Sequence, residues 1–104
     1  MTGILVQTTF ATISDAKQCA HALVSAKVAA CIAIQPTIQS VYLWNGNIEE
    51  ENECKLEIKT LAQFQSDVYS IIRSHSSYDC PQLITLPITH ISEDYLEWMK
   101  QELL

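Results

Sequence analysis

Two alternating hydrophobic periodicities along these 104 residues predict an α+β fold of order βαββαβ with an extra helix at the C-terminus. Three features carry that expectation. Short β-branched runs flank segments of helical spacing, an Asn-Gly turn joins two long strand-like arms, and an acid-led helical stripe follows the last strand.

The elements follow in order. Ile4-Leu5-Val6 and Thr8-Thr9-Phe10 form a short, β-branched first strand. Ser14-Asp15 signals a helix start, and Ala16, Cys19, Ala20, Leu23 and Val24 then recur at three-and-four spacing. A strand from Ala30 to Trp44, interrupted by Pro36, meets the turn Asn45-Gly46-Asn47, whose residue types tolerate positive φ. The return arm runs from Ile48 to Thr60, its second half alternating Cys54, Leu56 and Ile58 with Lys55, Glu57 and Lys59. A second helix spans about Leu61 to Ser74, with Leu61, Phe64, Val68, Ile71 and Ile72 on one face. Pro81 to Thr89 reads as a last strand, confined by Pro87 to an edge or an end. Ser92-Glu93-Asp94 opens the third helix, with Leu96, Met99 and Leu103 as its apolar stripe. This order is that of a ferredoxin-like split βαβ sandwich, and residues 1–104 read as a single domain.

Composition narrows the partners. Apolar residues make up 48% and charged residues 17%, an ordinary globular balance, and 2 Gly with 3 Pro leave little room for linkers. A net charge of -6 argues against nucleic acid and anionic membranes, which reward clustered cations, and permits cationic partners. No Cys-x-x-Cys pair exists among Cys19, Cys31, Cys54 and Cys80, so a zinc knuckle or redox motif is not available. The four are expected to be reduced, mostly buried thiols. With no basic, cleavable leader and no membrane-length apolar run, the expected location is cytoplasmic.

The central hairpin is long for its domain. A three-residue turn would pair Trp44 with Ile48, Ile38 with Cys54 and Ile34 with Ile58, keeping one face apolar. A two-residue turn would set Val41 opposite Glu50 and send the apolar parities of the two arms to opposite sides. The first register is the expected one. The arm from Ile48 to Thr60 would span roughly 43 Å at ~3.3 Å per residue. A domain of this size has a diameter of roughly 33 Å. The hairpin should therefore overshoot, presenting Val41, Tyr42, Leu43, Trp44 and Ile48, and a second copy of the chain is the economical cover.

Val28-Ala29-Ala30-Cys31-Ile32-Ala33-Ile34-Gln35-Pro36 and Ser40-Val41-Tyr42-Leu43-Trp44-Asn45-Gly46-Asn47-Ile48 resemble signatures of the CutA family. So do Leu56-Glu57-Ile58-Lys59-Thr60, Leu86-Pro87-Ile88 and Asp94-Tyr95-Leu96-Glu97-Trp98, so that the resemblance covers nearly the whole chain. It implies a ferredoxin-like subunit in an intertwined homotrimer whose long hairpins extend sheets between neighbours. It also implies a non-enzymatic part in tolerance of copper and other divalent metals. The trimer is similar in architecture to PII-type signalling proteins, which implies the alternative of a regulator binding a small effector at subunit clefts and signalling to a partner protein.

The family's proposed copper ligands fall on Thr8 or Thr9, on His75 and on Gln82, where a hydroxyl and an amide replace thiolate and carboxylate. Those are poorer donors for a soft or borderline ion such as Cu2+. His75, Asp79 and Cys80 form a local substitute set if the loop turns back on itself. The alternative is a capping loop in which Tyr78 and Pro81 pack. Glu49, Glu51 and Glu53 share a strand face that reads first as solvated, or as a guarded edge, and second as a collector of hard cations. A phosphate-cradling hydrolase is disfavoured, because the one Arg, Arg73, lacks Gly-rich surroundings. RNA binding is disfavoured by the charge and by the lack of paired surface aromatics with basic neighbours.

Overall fold

A computed structural model describes residues 2–104. Strand β1, Gly3–Phe10, is followed by helix α1, Ile13–Ser25. Thr12, rather than Ser14, caps α1: its side chain accepts from the Asp15 N–H at 3.1 Å. Strands β2, Cys31–Trp44, and β3, Asn47–Leu61, form the long hairpin. Leu61 ends β3 instead of starting a helix. A 3-10 turn at Ala62–Phe64 then leads into α2, Gln65–His75. The last strand, β4, is trimmed to Ile84–Pro87, the residues that pair with β1, and α3 spans Glu93–Leu103.

The four strands lie in the order β2-β3-β1-β4, each pair antiparallel, which is the ferredoxin-like topology. Val6, Thr8 and Phe10 of β1 and Cys54, Leu56 and Ile58 of β3 point to one face. There they meet Ala16, Cys19, Ala20 and Leu23 of α1 and Val68 and Ile72 of α2 in the main core. A smaller core joins Met99 and Leu103 of α3 to Leu61. Most of the apolar stripes read from the sequence are buried, but Val24 at the end of the α1 stripe is exposed, and Phe64, Ile71 and Leu96 are only partly buried at the edges of the two clusters.

The hairpin register differs from the expected one. Asn45 and Gly46 have φ of 52° and 81°, the pair of left-handed residues that a two-residue type I′ turn requires. Trp44 therefore pairs with Asn47, Leu43 with Ile48 and Val41 with Glu50. The parity conflict this would create is removed by a β-bulge between Gln35 and Ile38, after which Ile34 pairs with Leu56 and Ile32 with Ile58. Pro36, which has no N–H for the ladder, sits in that bulge. The one extra residue restores the apolar face of β2 at the core.

The bulge also gives the hairpin tip two distinct faces, because directly opposed residues share a side. Val41, Leu43 and Ile48 lie on one; Tyr42, Trp44, Glu49, Glu51 and Glu53 lie on the other. The chain measures 45 × 26 × 22 Å, so the hairpin does project past the packed body. Its apolar tip is wet: Val41 is 66% exposed, Leu43 72% and Ile48 75%.

Candidate functional site

A cleft of about 580 Å³ opens where the second hairpin face meets the loop between α2 and β4. The strands supply Ser40, Tyr42 and Trp44 from β2, Glu49, Glu51 and Glu53 from β3, and Thr9 near the end of β1. The loop supplies Ser77, Tyr78, Asp79, Cys80 and Gln82. Strand alternation explains the first group, since residues 40, 42 and 44 and residues 49, 51 and 53 fall on one side of the ladder. The lining holds four carboxylates and three aromatic rings, and no Lys, Arg or His.

One contact organises this space. The Tyr78 hydroxyl donates to Glu53 Oε2 at 2.6 Å. Partial burial alone would raise the Glu53 carboxyl, but hydrogen bonds from Ser40, Tyr78 and Thr9 outweigh it and hold the group below the usual carboxylate range. Tyr78 is pushed up, by burial first and then by its bond to Glu53 and the nearby Glu51 charge. Tyr42 is also raised, by desolvation and then by Glu51, Glu49 and Glu53. At neutral pH the Tyr42 and Tyr78 phenols therefore stay neutral donors and the Glu53 carboxylate a charged acceptor.

The sequence-derived metal set is not gathered. His75 is the last residue of α2, and its Nδ1 lies 3.0 Å from its own helix carbonyl at Ile71 and 3.2 Å from Ser74 Oγ. Asp79 and Cys80 are exposed and face the cleft, whose lining does not include His75. Among the described residues, no three or more His, Cys, Asp or Glu side chains are grouped to hold a metal ion. The positions suggested by resemblance do not supply a centre either. Thr8 Oγ1 is buried in the core without a hydrogen-bond partner, whereas Thr9 and Gln82 offer the cleft only neutral oxygen and amide donors. This donor set does not fit a resident soft or borderline ion within one chain.

The Tyr78–Glu53 contact was missed in sequence, where Tyr78 reads as a packing residue. No local signal points to it, because the two residues lie 25 positions apart and meet only through tertiary packing. The cysteines are free, with Cys19 and Cys54 buried, Cys31 half-buried and Cys80 exposed. Burial pushes the Cys19 thiol up to about 12.

Fold and cleft together define a class: a ferredoxin-like α+β chain with a projecting hairpin and an acidic, aromatic-lined cleft along one face of it. The sequence pattern of the family described as "CutA1 divalent ion tolerance protein" matches residues 4–102, and the chain belongs to that family. It is 33% identical over 102 residues to the divalent-cation tolerance protein CutA of Escherichia coli, covering 98% of this chain and 91% of that one. It is 38% identical over 98 residues to the chloroplastic protein CutA of Arabidopsis thaliana, covering 94% of this chain and 54% of that longer one. Among solved structures, CutA1 from Oryza sativa superposes with a TM-score of 0.94 at 34% identity, covering 98% of this chain and 94% of that one. A CutA from Archaeoglobus fulgidus, described as periplasmic, superposes with a TM-score of 0.95 at 25% identity, covering 98% and 99%. The family is named for tolerance of divalent ions and not for a reaction. No helix among the described residues is long and apolar enough to cross a membrane.

Proposed function

We propose that this chain acts as a cytoplasmic homotrimer in divalent-ion tolerance, copper included, without catalysing a reaction. The observation that carries the assembly is the hairpin tip, where Val41, Leu43 and Ile48 stand two-thirds or more exposed on a projecting arm. Side chains of this kind gain about 1.5–3 kcal/mol each on full burial, and further copies of the chain are the economical cover for them. Tyr42 and Trp44, on the opposite side of the same tip, complete the subunit contact at the rim of the cleft. Contact with metal is weak and exchangeable, through carboxylate oxygens and not through a dedicated centre, because no set of three ligands converges among the described residues of one chain.

The test is complementation. A host lacking its own family member is grown in graded copper while expressing this chain or its Leu43→Glu variant. Restored tolerance with the unaltered chain, and loss of it with the variant, is the expected result. Failure of the unaltered chain to restore growth, at equal expression, would sink the tolerance role.

A further inference from the structure

Eight residues, 76–83, run between α2 and β4 without regular secondary structure, and none of them is buried. A segment with so little buried contact sits at the low end of local stability. Its ends are anchored: the Ser76 N–H donates to the Ile72 carbonyl at 3.0 Å, and Leu83 packs against the main core. The middle carries Ser77, Tyr78, Asp79, Cys80 and Gln82 along one wall of the cleft. What ties that middle to the sheet is the 2.6 Å bond from Tyr78 to Glu53. Its acceptor shares a sheet face and the cleft with Ser40 of β2 and Thr9 of β1, whose hydroxyls favour the charged carboxylate.

We propose that the Tyr78–Glu53 hydrogen bond is a clasp, and that residues 76–83 form a movable wall of the cleft whose opening this bond controls. A phenol donating to a carboxylate suits such a device. It is stronger than a neutral pair, yet it lies at a part-exposed position where water can replace either partner. With four carboxylates and three rings behind the wall, and no cationic side chain, the space admits cations and neutral polar molecules and repels anions. The cleft shares Tyr42 and Trp44 with the proposed subunit contact, but the clasp partners Tyr78 and Glu53 are separate from Val41, Leu43 and Ile48, so exchange over 76–83 and oligomer mass report on the two readings separately.

Hydrogen exchange followed by mass spectrometry, on the full chain in its native assembly, tests the clasp. Tyr78→Phe keeps the ring and removes the donor. Exchange in the 76–83 peptide should rise roughly three- to tenfold, the effect of losing one part-exposed charge-assisted bond. Peptides from β1 and β3, and the oligomer mass, should stay as they were. Glu53→Gln, which keeps an acceptor oxygen but loses the charge, should give a smaller rise in the same peptide. Unchanged exchange over 76–83 in Tyr78→Phe overturns the proposal. So does a rise shared equally by β1 and β3, since that would be general destabilisation.

Discussion

Replacing Leu43 by Glu should separate the copies while leaving each one folded. Leu43 is 72% exposed in the single chain, beside Ile48 at 75% and Val41 at 66%, so little of its stabilising burial lies within its own subunit. Covering the exposed part of these three side chains contributes about 1–2 kcal/mol each, or ~3–6 kcal/mol per hairpin. The variant forfeits the Leu43 share. It also sets a carboxylate opposite Ile48 and near Glu50, where assembly would have to desolvate it. A loss of about 3 kcal/mol per contact corresponds to roughly a hundredfold weaker association. The folded monomer should change by no more than about 0.5 kcal/mol, as for other exposed positions. Sedimentation velocity over a dilution series, with circular dichroism alongside, separates the two effects. The reasoning is refuted if the variant keeps the unaltered chain's assembly at every dilution, or if it loses its secondary structure together with its mass.

Other positions make sharper local tests. Thr8→Val should raise the urea midpoint by the equivalent of about 1 kcal/mol, because it replaces a fully buried hydroxyl that has no partner with a methyl of similar shape; a loss of stability would mean Oγ1 is satisfied in solution. The Glu53 carboxyl is lowered on folding, so its bonds stabilise the fold above the ordinary value of 4.5 and that stability is lost as pH falls through the lowered one. Urea midpoints of the unaltered chain and Glu53→Gln should accordingly differ at neutral pH and converge in acid, and a constant gap would contradict the assignment. Iodoacetamide labelling at mildly alkaline pH, read by peptide mass, should modify exposed Cys80 first and Cys19 last, since burial lifts Cys19 to about 12; equal rates would place Cys19 outside the core.

Much of the fold could be read from local pattern because its signals are local. The stripes of α1 and α2 and the alternation at Cys54, Leu56 and Ile58 report burial directly. The hairpin register depended on a correlation that pattern could not resolve. Continuous apolar parity can come from a longer turn, or from a tight Asn-Gly turn combined with a bulge at Pro36, and the chain uses the second. The ends of β4 were overread because Pro81 to Leu83 is extended in character but has no strand to pair with; pairing with β1 begins at Ile84.

The cleft was half legible for the same reason. Glu49, Glu51 and Glu53 share a face by simple alternation, but the loop opposite them is placed by tertiary packing, 25 residues further along from Glu53 to Tyr78. His75, Asp79 and Cys80 show the converse. They are close in sequence, yet the helix end holds the imidazole against the Ile71 carbonyl while the other two face the cleft.

The central claim is that a projecting hairpin makes this chain a trimer, and native mass spectrometry of the full chain at low micromolar concentration tests it most directly. The account predicts one dominant species at three times the 11.7 kDa chain mass, shifted toward the single-chain mass by Leu43→Glu. A unaltered chain that stays at 11.7 kDa would contradict it, as would an assembly indifferent to that substitution.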